Sequence, residues 1–246
     1  MDDLFDNFGR IQKNDPEFHE IFKNFAFDEV YEHSTLTEKE SVLVTLASLI
    51  ACQSPKAFKK ILLSAVNKYV TPEEVKELLY QSVPYVGFGR AHNFFGVTIK
   101  VFDKKGIEMP LENRSNTAPE NRLQKGRELQ DRYFGAEMIQ MMNDNAPEGQ
   151  EHFNRFLEGF CFGDFYTRDG LNDQQRELIT FVFIATLGGC ENQLRGHTQG
   201  NLNVGNDKEK LVSAITVILP YIGFPRSLNA LAIVNEFYVV MDALPL

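Results

Sequence analysis

Cysteine is scarce in this chain: three residues, Cys52, Cys161 and Cys190, and no CxxC spacing. An odd count that small excludes a disulfide framework and a four-cysteine zinc site, and the simplest expectation is a reduced, cytoplasmic setting. Basic residues are also in short supply. Lys and Arg total 25 against 34 Asp and Glu, a formal net charge of −9. Phosphate backbones and anionic membrane surfaces are recognised by basic faces, so neither nucleic acid nor membrane is an expected partner. Long apolar runs are missing as well. The longest uncharged stretches, residues 41–55 and 211–225, have 15 residues each, short of the roughly 18 that suggest a spanning helix. The opening MDDLFDNFGR is acidic, without the apolar core of a signal peptide. His19, His33, His92 and His152 show no clustered ligand spacing, so no metal site is expected. With 43% hydrophobic and 24% charged residues, what remains is an ordinary globular protein.

Self-similarity organises the chain. A shift of 135 sets Phe18 on Phe153, Phe25 on Phe160, Phe27 on Phe162, Tyr31 on Tyr166, Leu43 on Leu178 and Thr45 on Thr180. One extra residue enters near Gly188–Gly189, and the run VPYVGFGRAHN (83–93) then meets LPYIGFPRSLN (219–229), identical at six positions. The expected organisation is a first repeat over 1–112, a polar linker over 113–120, and a second repeat over 121–246. Strand alternation is absent over any useful length. Thr71-Pro72-Glu73-Glu74 reads as a helix start, with a cap, a proline at the first position and acids in the first turn; Asp207 opens the matching helix of the second repeat. The PYVGF and PYIGF turns are expected to separate the last two helices of each repeat, and Asn121–Phe134 to add an amphipathic helix. The fold class is therefore all-α.

The duplication also supplies an internal control. At 100° per residue, Cys190, Gln193, Leu194, His197, Asn201 and Val204 share one helix face. Their counterparts in the first repeat include Ala57, Phe58, Ile61 and Ala65, an ordinary apolar core. On the preceding helix Glu177 stands against Val42. Unpartnered buried polar groups cost roughly 1–3 kcal/mol each, so Glu177, Gln193, His197 and Asn201 must satisfy one another or line a polar cavity. Arg226 matches Arg90 after the PYxGF turn, a symmetry that suggests a structural role, although an arginine there can also hold a carboxylate.

The stretches LRGHTQGNLNVGNDKEKL (194–211) and PYIGFPRSLNAL (220–231), with the lead-in GDFYTRDGLNDQQRELITFVFIATLG (163–188), resemble the carboxymuconolactone decarboxylase family, which includes the alkylhydroperoxidase-D-type proteins. The resemblance implies an all-helical unit and assembly as trimers or hexamers, so that three chains of this doubled protein would rebuild a six-unit ring. It places His197 on the family histidine, Glu177 on the family glutamate, and Cys190 on the first cysteine of CxxCxxxH. Gln193 replaces the second cysteine, and the first repeat, with Val42, Ser54 and Ile61, should be inactive.

The expectation is a cofactor-free decarboxylase or isomerase of a small carboxylated lactone or related acid. His197 would be the proton donor or relay and Glu177 would orient its ring. Gln193 and Asn201 would bind the developing oxyanion, and Arg226 would hold a substrate carboxylate. One alternative is a thiol-dependent peroxide-reducing enzyme with Cys190 as the reactive thiol. The other is a non-catalytic oligomeric module.

Overall fold

The computed structural model describes Leu4 and residues 8–239. No strand forms among them beyond one isolated bridge between Val66 and Val70. The first repeat runs through α1 (Gly9–Asn14), α2 (Pro16–Lys23), a π-helix π1 (Asn24–Glu29), α3 (Val30–Glu32), α4 (Glu38–Ala51), α5 (Pro55–Ala65), α6 (Pro72–Val86) and α7 (Phe88–Lys105). A non-helical stretch leads to α8 (Arg122–Phe134) and α9 (Ala136–Asp144). The second repeat then follows as α10 (Glu151–Phe156), π2 (Leu157–Tyr166), α11 (Asp173–Leu187), α12 (Glu191–Asn203), α13 (Lys208–Ile222) and α14 (Phe224–Val239). No helix among the described residues is long and apolar enough to cross a membrane.

Local chemistry sets these boundaries. Thr37 and Thr71 each accept a hydrogen bond from the backbone three residues on, while Glu40 and Glu74 return the favour, giving capping boxes at α4 and α6. Asn172 and Gln175 do the same at α11, and Asp207 caps α13. Gly87 and Gly223, both at φ +79°, stop α6 and α13. A left-handed backbone there costs glycine nothing, so α7 and α14 start at Phe88 and Phe224. Pro84 and Pro220 stay inside the helices. The extra residue of the second repeat falls where α11 ends, at Gly188 and Gly189 with φ +66° and +71°.

α4 and α11 are apolar on nearly every side, and each is buried along most of its length. Helices of that kind need cover all round. They pack on each other at the centre, and each is covered by the other repeat's helix: α6 of the first repeat lies on α11, and α13 of the second lies on α4. This exchange knits the repeats into one core and carries the PYVGF segment across to the second repeat.

The crossing is pinned by a buried ion cluster. Glu77 on α6 accepts from Arg168 Nε at 3.0 and 3.1 Å and from Arg176 Nη2 at 3.1 Å, and Gln81 Oε1 accepts from Arg176 Nη1 at 3.0 Å. Glu77 and Arg176 are fully buried. Desolvation holds the Arg176 guanidinium below its usual range, partly offset by Glu77. α8 closes against π2 almost backbone to backbone. A Cβ at Gly126 would fall 1.8 Å from Glu158 O, and one at Gly163 would fall 2.2 Å from Arg122 O, so only glycine fits at either place. That approach brings Phe134, at the end of α8, over α12.

Candidate active site

α12 starts after the two glycines; it packs on α11, α14 and α8, and Tyr85 at the end of α6 meets its inward face at His197. His197 lies there with its ring edge-on between two aromatics, 5.3 Å from Tyr85 and 5.5 Å from Phe134 by ring centroids. Its Nδ1 is 2.9 Å from Glu177 Oε2. Glu177 is fully buried, whereas the His197 side chain keeps 12% exposure. The other carboxylate oxygen accepts from Tyr166 Oη at 2.8 Å.

Tyr166 is the centre of a larger network. Its hydroxyl also lies 2.8 Å from Thr180 Oγ1 and 2.8 Å from Tyr85 Oη. Cys161 Sγ donates to Tyr85 Oη at 3.7 Å, and Gln81 Nε2 donates to Thr180 Oγ1 at 3.2 Å. Burial first, and then the Glu177 charge, push the Tyr166 hydroxyl well above its usual range; burial does the same for Tyr85 and takes the Cys161 thiol up to about 12. All three therefore keep their protons. Tyr166 has one hydrogen, which goes to Glu177, so Tyr85 and Thr180 must donate to the Tyr166 oxygen. Every proton in the network points towards Glu177, and such chains reinforce one another in a low dielectric. A carboxylate accepting on both oxygens fixes the His197 tautomer as Nδ1–H. Nε2 is left as the nitrogen available to the cavity.

That cavity has a volume of about 400 Å³. Its walls are mostly apolar, from Tyr85, Phe134, Ile139, Met142, Leu157 and Phe162 among others, and its polar lining is Gln130, Cys190, Gln193 and His197. Close packing behind the dyad is strict. A Cβ at Gly200 would sit 2.6 Å from Glu177 Oε2 and 2.7 Å from Phe134 Cε1.

The sequence-derived residues thus separate into three groups. His197, Cys190 and Gln193 reach the cavity, with Glu177 directly behind His197. Asn201 faces away from it. Its Nδ2 donates to the carbonyls of Glu177 and His197 at 3.0 and 2.7 Å, and its Oδ1 accepts from Asn206 at 2.8 Å. With both ends occupied and no exposure, Asn201 locks α12 to α11 and has no atom free for an oxyanion. Arg226 is outside the cavity too. It packs over the Gly188 turn and borders a separate small recess with Glu191 and Leu194. Cys190 stands at the N-cap position of α12 without a side-chain capping bond, and its thiol donates to Gly188 O at 3.6 Å.

Tyr166, Tyr85, Phe134 and Gln130 escaped sequence reasoning. Tyr166 has the tyrosine Tyr31 as its repeat partner, so comparing the copies gives no signal. Tyr85 belongs to the first repeat, which is therefore more than a scaffold: it supplies Tyr85 and Pro84 to the wall. Among the described residues, no group of three His, Cys, Asp or Glu side chains could hold a metal ion.

Comparison with known proteins shows the family and the fold. The carboxymuconolactone decarboxylase family model matches twice, over residues 16–100 and 151–236. The 4-carboxymuconolactone decarboxylase of Acinetobacter baylyi (strain ATCC 33305 / BD413 / ADP1) is 27% identical over 126 residues, which is 51% of this chain and 93% of that protein. A single relative thus has about the length of one repeat. A crystal structure from Burkholderia xenovorans LB400, provisionally named a gamma-carboxymuconolactone decarboxylase subunit, superposes with a TM-score of 0.53 at 16% identity, covering 96% of this chain and 92% of the other. That likeness concerns the fold. With both repeats matched by one family model, the chain belongs to the carboxymuconolactone decarboxylase family as a tandem member.

Proposed function

We propose that this protein is a cofactor-free decarboxylase of a small carboxylated lactone or related acid whose carboxylate is β, or vinylogously β, to a carbonyl. The observation that carries this reading is His197, held through Nδ1 by Glu177, with its other nitrogen open to a mostly apolar cavity. In the reaction the bond to the carboxylate carbon breaks heterolytically, CO2 leaves, and the electron pair moves into an enolate. In its imidazolium form His197 carries a proton on Nε2 as well as on Nδ1; the Nε2 proton forms the new C–H bond, leaving the neutral Nδ1–H imidazole, which recovers a proton from solvent. An imidazole can both give up and regain a proton, as that exchange requires. Apolar walls remove water from the reacting carboxylate, whose charge spreads out as CO2 departs. Gln193, at the same wall, is placed to donate to the enolate oxygen.

His197→Ala should lower turnover of such a lactone by about 10²–10⁴-fold, with the protein still folded. Wild-type turnover by that variant would end the proposal. The thiol-peroxidase alternative has less support, because Gln193 occupies the place of a second thiol and burial keeps the Cys161 thiol protonated. The six-unit ring of three chains is also part of the proposal. Phe18 and Ile21 in the first repeat are exposed, as are their counterparts Phe153 and Phe156 in the second, so both repeats offer equivalent apolar surfaces. Sedimentation should give the mass of a trimer.

A further inference from the structure

Gln81 on α6 is fully buried in the first repeat, and the repeat shift sets it on Val217, a buried valine of the second. The comparison that marks Glu177 and His197 in one copy thus marks an amide in the other. Burying an amide where an aliphatic side chain fits costs stability unless both its ends are met. Both are met, and by unlike partners. A guanidinium only donates, so Arg176 Nη1 takes the Oε1 end at 3.0 Å, and Nε2 is turned to Thr180 Oγ1 at 3.2 Å. Arg176 is itself held by Glu77, so the ion cluster that joins the repeats decides which way round Gln81 lies. With Oγ1 accepting from Gln81, the Thr180 proton goes to the Tyr166 oxygen 2.8 Å away, and the Tyr166 proton goes to Glu177 at 2.8 Å. One chain of hydrogen bonds therefore runs from Arg176 to Glu177, whose other oxygen meets His197 Nδ1 at 2.9 Å.

We infer that Gln81 is a positioning residue: oriented by Arg176, it sets the direction of this chain and so keeps the transferable proton on His197. The proton that the reaction consumes has two places to reside in the dyad. It lies on the ring, as imidazolium beside carboxylate, or the pair rearranges to a carboxylic acid beside a neutral imidazole, whose remaining N–H is a far weaker acid. Donation to a carboxylate favours its charged form, so the Tyr166 proton on Glu177 selects the imidazolium. Thr180 would be free to turn its own proton round, and to compete with Glu177 for the Tyr166 proton, if Gln81 did not donate to it. The inference rests on the decarboxylase reading for its effect on turnover, whereas the place of the proton is a property of the free protein.

Nitrogen NMR of the full-length protein carrying isotope-labelled histidine reads that place directly, with His197→Ala identifying the His197 signals. As pH is lowered from about 8 to about 5, the wild-type ring should pass from one protonated nitrogen to two. Gln81→Glu keeps an acceptor for Arg176 but has nothing to donate to Thr180, so Thr180 donates to it and draws the Tyr166 proton off Glu177. In this variant the Nδ1 signal at low pH should move part of the way to its unprotonated position. Its turnover of a carboxylated lactone should fall about 10-fold with KM within about 2-fold, a factor of ten being about 1.4 kcal/mol. Adding Thr180→Val should restore both, because valine cannot accept the Tyr166 proton and the reversal goes no further. Gln81→Met, which also cannot donate, gives the same reading at Nδ1 should the buried carboxylate disturb the fold. Wild-type nitrogen signals in both Gln81 variants overturn the inference, and so does a loss in Gln81→Glu that Thr180→Val leaves unrelieved. A changed spectrum with no lactone turned over by the wild type ends the decarboxylase reading and leaves the role of Gln81 standing.

Discussion

Gly200→Ala is the sharpest perturbation the site offers, because one methyl group is aimed at the atom that holds His197. The added Cβ would meet Glu177 Oε2 at 2.6 Å and Phe134 Cε1 at 2.7 Å, while ordinary contact starts at 3.4 Å. Glu177 is fully buried and its other oxygen is tied to Tyr166 at 2.8 Å, so the carboxylate has little room to yield. The bond from His197 Nδ1, now 2.9 Å, would stretch towards or beyond the roughly 3.2 Å limit of a good hydrogen bond. Overpacking on this scale costs about 1–3 kcal/mol, against a gain of about 1 kcal/mol expected for Gly→Ala inside a helix. A net loss of up to about 2 kcal/mol should lower the melting temperature by about 2–4 °C per kcal/mol in a chain of this size. Turnover should fall by about 10²-fold, the usual cost of a catalytic group misplaced by about 1 Å.

The assay is thermal melting together with the rate of loss of a carboxylated lactone. Gly196→Ala is the matched control for stability: it lies on the same helix, and its Cβ would meet nothing within 4 Å, so its melting temperature should rise. If Gly200→Ala melts as high as Gly196→Ala and retains wild-type turnover, the close packing behind the dyad is not what positions His197.

Three further outcomes follow from the same contacts. Tyr166→Phe takes one donor from the buried Glu177 carboxylate and breaks the link to Tyr85 and Thr180; a loss of about 1–3 kcal/mol in denaturant unfolding is expected, with slower turnover, and unchanged stability would contradict the network. Glu77→Gln leaves Arg168 and Arg176 buried without a counter-charge, which should destabilise the protein by about 3–5 kcal/mol although Glu77 does not line the cavity; a change under about 1 kcal/mol in the same measurement would contradict that account. Burial pushes the Cys161 thiol up to about 12, so it is protonated at mildly alkaline pH and should resist alkylation until pH approaches that value. Cys190, half-buried at the cavity, should be alkylated before Cys161 and protected by a bound carboxylated lactone; mass spectrometry showing Cys161 modified before Cys190 would contradict this order.

Much of this was written in local sequence. The capping residues Thr71 and Asp207, the glycines of the PYxGF turns and the 135-residue shift are signals confined to short windows, and each marks an element in its expected place. Glu177 and His197 were visible for the same reason: helix periodicity put them on inward faces, and Val42 and Ile61 showed what those faces carry without a site. Asn201 met the same test and yet serves packing, because periodicity gives a face and cannot say whether a polar group finds its partner in the backbone. The π-helical turns of π1 and π2 left no readable pattern, and α9 was not anticipated.

Two helical repeats, with the polar substitutions in the second, are legible along the chain. That both repeats build the site follows from how they pack. α4 and α11 are buried on nearly every side, so each must be covered by a helix of the other repeat, and that crossing delivers Tyr85 to His197 and Glu77 to Arg176. Contacts between residues about a hundred positions apart depend on how helix faces are shared out in the core. No periodicity or internal comparison along a chain encodes that sharing.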